Sequence, residues 1–128
     1  MSERGVKILK FVKVFELETL HKGGGFDTAK LTIVDVNRPG LQFHNFYDYF
    51  DPHRLQVIGK AEYTYLKSLT PEHRRKCFDD LFLYDIPALV ICRGLECFPE
   101  CLESAQENEK TLLRTQETTV DFTRHTIE

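Results

Sequence analysis

Two short turns carry the residue types best suited to chemistry. Arg38-Pro39-Gly40-Leu41 follows one apolar, β-branched run, and Arg93-Gly94-Leu95 follows another. Each offers a guanidinium, a planar fork of donors that matches a phosphate or carboxylate. Each also offers a glycine that lets a ligand approach the backbone. A helix starting after the turn would add unpaired N–H groups. In open α/β sheets, ligands settle outside the carboxyl ends of the strands. Arg38, Gly40, Arg93 and Gly94 are therefore the candidate ligand-binding residues, for an anionic ligand that presents a phosphate or carboxylate. The competing reading is structural: each Arg satisfies local carbonyls or pairs with Asp35 or Asp48.

Thiol chemistry is the other option. Cys77, Cys92, Cys97 and Cys101 all fall in the second half, the last three in a C-x4-C-x3-C spacing. That spacing fits no common zinc pattern, and no His lies close by. A metal or redox role would need Cys92, Cys97 and Cys101 to converge. The plainer expectation is buried or half-buried thiols, with one on a helix. None of His21, His44, His53, His73 and His125 lies in a local nucleophile or metal motif. No G-x-x-x-x-G-K-[ST] run occurs, so a nucleotide phosphate cradle of that type is absent. The reading assigns no catalytic residue, no metal ligand and no cofactor to this chain.

Composition narrows the partners. The chain has 128 residues, a net charge of -3, and 41% apolar and 29% charged residues, an ordinary globular balance. Nucleic-acid binders show a basic balance or stripe, so no nucleic-acid partner is expected. No apolar run approaches the roughly 18 residues of a membrane span, and the first residues lack the apolar core of a signal peptide. The expected location is the cytoplasm.

The elements that must hold the two turns follow from periodicity. Ile8, Leu9 and Val12 mark a helix over 6–14, and alternation over 15–19 marks a half-buried strand. Gly23-Gly24-Gly25 is a turn. Residues 31–36 read as a strand. Phe43, Phe46, Tyr47 and Phe50 fit one helical face; Tyr47, Tyr49 and Tyr65 are the candidates for an exposed aromatic patch. Leu55–Ile58 is a short strand, and 61–69 a helix. Thr70-Pro71-Glu72 combines an N-cap, a first-position Pro and an acid in the first turn, so a helix follows and buries Cys77, Phe78, Leu81 and Phe82. Residues 88–92 are apolar throughout, as in a strand covered on both faces. A helix over 99–109, a strand over 111–115 and a last helix capped by Thr118 or Thr119 complete the chain. Alternating strands and helices predict an α/β fold, a layered mixed or parallel sheet flanked by helices. Residues 1–117 are expected to form one domain. Residues 118–128, with no Gly or Pro stop, are expected to begin a linker helix.

Four stretches, in order, resemble one family. Asp35-Val36-Asn37-Arg38-Pro39-Gly40-Leu41 with Phe46-Tyr47-Asp48-Tyr49-Phe50 resembles the "D-I-x-R-P-G-L... F-x-Y-F" segment of the N-terminal domains of bacterial HPr kinase/phosphorylases. Arg54–Glu62 is similar to that family's "R-x-Q-x-x-G-x-x-E". Pro87 through Arg93-Gly94-Leu95-Glu96 is similar to its "P-x-x-x-x-x-R-G-L-x-x-P", and Leu113-Arg114-Thr115 to its "P-L-L-R-T", with Thr111 where a Pro is common. The Cys-rich stretch 92–101 departs from the family pattern.

The resemblance implies a regulatory or assembly domain without catalysis of its own. The parent would be an ATP-dependent serine kinase/phosphorylase acting on HPr, a phosphocarrier of the sugar phosphotransferase system, and so on carbon catabolite repression. ATP and magnesium would belong to an absent kinase domain, towards which the last helix leads. Partners would be that domain and HPr, in a homo-oligomer. The fold would be similar to the UDP-binding N-terminal domain of Mur ligases.

Overall fold

The computed structural model describes residues 6–31 and 36–127. Chain order is β1 (Val6–Lys7), α1 (Ile8–Val14), β2 (Glu18–His21), β3 (Lys30–Leu31), β4 (Val36–Asn37), α2 (Gly40–Phe43), β5 (Leu55–Ile58), α3 (Lys60–Lys67), α4 (Pro71–Phe82), β6 (Leu89–Ile91), α5 (Pro99–Glu107), β7 (Leu112–Arg114) and α6 (Thr119–Ile127). Five strands form a mixed sheet in the order β2-β7-β6-β5-β4. β4 to β7 run parallel, and β2 closes one edge antiparallel to β7.

Side-chain alternation divides the core between the two faces of this sheet. Leu55, Val57, Ala88, Val90, Cys92 and Leu113 pack with Ile8, Phe11 and Val12 of α1 and Phe122 of α6. Ile58, Leu89, Ile91 and Leu112 point the other way, onto Leu66 of α3, Phe78 and Phe82 of α4, and Cys101 and Ala105 of α5. The result is three layers, with the parallel strands covered on both sides, as the unbroken apolar run 88–92 requires. Thr70 caps α4 by accepting from the His73 N–H at 3.2 Å, and Thr118 does the same for Asp121 at 3.2 Å.

Several boundaries depart from the sequence reading. Val6 and Lys7 pair with β3 instead of opening the helix. Phe15 caps α1, and Glu16 turns the chain with φ +54°, so the strand expected at 15–19 starts at Glu18. The run 31–36 is not one ladder: Leu31 pairs with β1, while Val36 pairs with β5 in the main sheet. The residues between them, Asp35 included, lie outside those described. The aromatic helix expected over 43–50 does not form. α2 ends at Phe43, and Asn45 and Tyr49 adopt left-handed φ of +67° and +62°, which a helix excludes. Phe43 is buried and Phe46 is 45% exposed; Tyr49 is wholly exposed, whereas Tyr47 and Tyr65 are half-buried.

Candidate site at the carboxyl ends of the strands

The residues of interest follow the carboxyl ends of the parallel strands. Arg38 follows β4, Gly59 follows β5, Cys92, Arg93 and Gly94 follow β6, and Thr115 follows β7. The Arg38 guanidinium donates from Nε (3.3 Å) and Nη2 (3.0 Å) to Oε1 of Glu62, in the first turn of α3. The same oxygen accepts the Gly59 N–H at 2.7 Å. Glu62 therefore serves two purposes: it satisfies the donor at the helix start, as a third-position Glu does, and it anchors Arg38. Glu62 is 9% exposed and Arg38 is 43% exposed, so the carboxylate is sunk while the Arg38 side chain stays partly open to solvent.

Gly59 has a packing reason. A Cβ there would collide with Thr119 Oγ1 and lie 2.7 Å from Arg38 Nη2. Thr119 is buried, so the absent side chain lets α6 start against β5. Cys92 lies here too. Its thiol is pushed up chiefly by burial, opposed by a hydrogen bond with Thr119 and by the charge of Arg38.

Arg93 and Gly94 make the second turn in a different way. Both are left-handed, at φ +63° and +61°. Their N–H groups donate to the carbonyls of Glu117 (2.8 Å) and Thr115 (2.8 Å), tying β6 to the segment after β7. A left-handed Arg costs about 1–2 kcal/mol, and such strain gathers at functional sites. The Arg93 side chain is exposed. It forms no ion pair among the described residues, in contrast to Arg38. Gly40 differs from Gly94: a Cβ on it would sit 4.0 Å from Glu62 Oε2, an ordinary contact.

Arg38 thus pairs with Glu62; of the two acidic partners that the structural alternative offered, Asp48 does not pair with it and Asp35 lies outside the described residues. The helix that follows Arg93-Gly94 begins at Pro99, as the sequence reading expects, and residues 95–98 separate its N-terminus from the turn. Cys92, Cys97 and Cys101 do not converge. Cys92 belongs to one face of the sheet, and Cys97 and Cys101 to the other. Among the described residues, no group of three His, Cys, Asp or Glu side chains is placed to hold a metal. The His21 and His44 rings sit 2.9 Å from the carbonyls of Lys110 and Gly40. The side chain of His125 lies outside the described residues.

Glu62, Gly59 and Thr119 were not singled out from sequence as site residues. The available signal was the spacing Gly59-x-x-Glu62 at a strand end followed by a helical run, which is a capping pattern. A buried amide chain was missed as well. Asn37 Nδ2 donates to Oε1 of the fully buried Gln56 at 2.7 Å and to Gln42 Oε1 at 3.1 Å, bracing β4 beside Arg38.

Residues 6–128 match the family described as HPr Serine kinase N terminus. The chain belongs to that family. HPr kinase/phosphorylase of Clostridium perfringens (strain SM101 / Type A) is 42% identical over 118 residues, 92% of this chain and 38% of the relative. That of Clostridium acetobutylicum is 43% identical over 91% of this chain and 38% of the relative. That of Caldicellulosiruptor bescii is 41% identical over 88% and 36%. The chain thus spans well under half the length of these HPr kinase/phosphorylases. A solved structure with a similar fold is the CBS and DRTGG domains of the regulatory region of Clostridium perfringens pyrophosphatase, complexed with its activator diadenosine tetraphosphate. Its TM-score is 0.66 at 13% identity, covering 94% of this chain and 46% of that one. The four stretches by which the sequence resembles the HPr kinase family supply Arg38, Gly59 with Glu62, Arg93 with Gly94, and Arg114 with Thr115. Those residues end or follow the four parallel strands. No helix among the described residues is long and apolar enough to cross a membrane.

Proposed function

We propose that this chain is a non-catalytic regulatory or assembly domain of a bifunctional HPr serine kinase/phosphorylase, acting in the cytoplasm in carbon catabolite repression. The observation that carries the reading is the family match over residues 6–128 in a chain spanning only 38% of a relative such as that of Clostridium perfringens. In this reading residues 1–117 are the domain and residues 118–128 lead towards a kinase domain. That kinase domain binds ATP and magnesium and recognises HPr, and the parent assembles as a homo-oligomer. The test incubates the purified 128-residue chain with HPr, ATP and magnesium. No phosphoserine is expected; ATP-dependent phosphorylation by this chain alone would overturn the reading. In the parent enzyme, removing residues 1–117 is expected to alter effector response or subunit association while phosphoryl transfer persists.

A second reading is favoured by Arg93, an exposed cation on a strained backbone at a strand end of the same sheet that carries the Arg38–Glu62 pair. Here the carboxyl ends of the strands take an anionic ligand, a nucleotide-sugar or sugar phosphate, between Arg93-Gly94 and the outward edge of Arg38 by Gly40. The layered fold would then be similar to the N-terminal UDP-binding domain of Mur ligases in use as well as in shape. Titration with nucleotides, UDP-sugars and sugar phosphates tests it. Absence of binding at millimolar ligand, or binding unchanged in Arg38→Ala and Arg93→Ala, would remove it.

A further inference from the structure

Cys97 and Cys101 straddle the start of α5. Phe98 is the N-cap and Pro99 the first helical residue, so Cys97 precedes the cap and Cys101 is the third residue of the helix. The Cys101 thiol is fully buried, in the core cluster against which Cys97 packs. Cys97 is half-buried, with its Sγ 3.4 Å from the Phe98 carbonyl.

The segment that carries Cys97 is held from three sides. Arg114 Nη1 donates to the Leu95 carbonyl at 3.1 Å, and the Tyr63 hydroxyl to the Glu96 carbonyl at 2.9 Å. The Phe98 ring stacks on Tyr63 at 4.5 Å and lies under the Arg74 guanidinium at 4.6 Å.

The electrostatics separate the two sulfurs. The hydrogen bond from Cys101 is the largest influence on Cys97. With Arg114 and the Leu102 backbone it holds that thiol below the usual cysteine range, against the effect of burial. Burial, and then the same hydrogen bond, push Cys101 far up. A half-buried, thiolate-forming cysteine next to a buried resolving thiol is the arrangement of a redox-sensing pair. Cys77 and Cys92 are buried, with thiols pushed up, which disfavours the thiolate that a first attack on peroxide needs.

We propose that Cys97 and Cys101 form a peroxide-sensitive dithiol that closes reversibly to an intrachain disulfide. The Cys97 thiolate attacks one oxygen of hydrogen peroxide: an S–O bond forms, the O–O bond breaks, and the departing hydroxide takes a proton to become water. Cys101 then loses its proton and attacks the Cys97 sulfur. The S–S bond forms, the S–O bond breaks, and the second hydroxide leaves as water with that proton. Two thiols and one peroxide yield one disulfide and two waters, and an external dithiol reverses the step by exchange.

The test is differential alkylation read by mass spectrometry. Trypsin releases both cysteines on one peptide, Gly94–Lys110. In the untreated chain near neutral pH, Cys97 is expected to alkylate roughly tenfold or more faster than Cys77 or Cys92, because the thiolate is the reactive form. After mild peroxide the peptide is expected to lose two hydrogens and both alkylation sites, and to regain them with dithiothreitol. In Cys101→Ala, Cys97 is expected to stop at the sulfenic acid, trapped by dimedone; Cys97→Ser is expected to leave Cys101 reduced. Retention of both alkylation sites after peroxide, or a disulfide joining Cys77 or Cys92 instead, would overturn the proposal.

Discussion

Arg38 and Glu62 are 24 residues apart in sequence, yet one carboxylate oxygen of Glu62 takes both a fork of the Arg38 guanidinium and the Gly59 N–H. The two ends of the pair are unequal. Truncating Arg38 leaves a buried carboxylate with only its backbone partner; truncating Glu62 frees a guanidinium that can turn to water. Arg38→Ala is therefore expected to cost about 1–3 kcal/mol. Glu62→Ala should cost a similar amount through the exposed donor of Gly59, and the double variant less than the sum. Urea unfolding of the three variants gives the coupling. Strict additivity would show that the pair contributes no shared energy.

Gly59→Ala tests the contact between β5 and α6. The added methyl meets Thr119 and Arg38 together, and overpacking of this sort costs about 1–3 kcal/mol. Thermal unfolding should register the loss, and proteolysis within α6 should accelerate. Unchanged melting would mean that Thr119 moves aside freely.

Arg93→Gly separates stability from binding. The left-handed backbone suits glycine, while glycine also adds freedom to the unfolded chain. Stability is expected to hold or to rise by up to about 1 kcal/mol, while any anion affinity at this turn falls. A clear loss of stability would show that the Arg93 side chain is structural.

Arg74 should be among the most sensitive surface-facing positions. It is 12% exposed and donates to the carbonyls of Leu66 and Leu69 and to Glu100, each within 3.0 Å, while covering the Phe98 ring. Arg74→Ala orphans all three acceptors and is expected to cost about 3–5 kcal/mol. Arg74→Lys, lacking the fork, should recover only a small part, as measured by denaturant midpoint.

Tyr47 sets a direction for alkaline behaviour. Its hydroxyl is buried without a hydrogen-bond partner among the described residues, and burial, then Asp80, Tyr84 and Cys77, push its pKa up. The folded chain thus keeps a proton that the unfolded chain releases near about pH 10. The contribution is fully present below that pH and is lost as pH rises through the interval up to the folded-state value. Tyr47→Phe should be neutral or stabilising by up to about 1 kcal/mol at neutral pH and should flatten the alkaline limb of a stability–pH curve. A steeper limb in the variant would contradict this.

The sequence made the layers legible because their signals are local. Alternation at Leu55–Ile58, the apolar run at 88–92 and the Thr70-Pro71-Glu72 start each report on a few neighbouring residues. The turns at Arg38 and Arg93 were readable for the same reason, as breaks after such runs. What stayed hidden depended on backbone sign or on distant partners. Spacing over 43–50 fits a helix, but it carries no trace of Asn45 and Tyr49 turning left-handed. The Glu62 anchor for Arg38, the Arg74 cover on Phe98 and the burial of Cys101 arise only once α3, α4 and α5 have packed on the sheet.

The placement of α6 has a mechanical consequence. Its first residue sits in the notch at Gly59, and one turn later Phe122 inserts its ring against Phe11 and Phe15 at 6.1 and 6.3 Å. The helix is pinned at two points that belong to different parts of the layer. It cannot slide along its axis without vacating the notch, nor roll without unseating three rings. A pull on this helix is therefore transmitted as a rigid lever, loading β5 and α1 together.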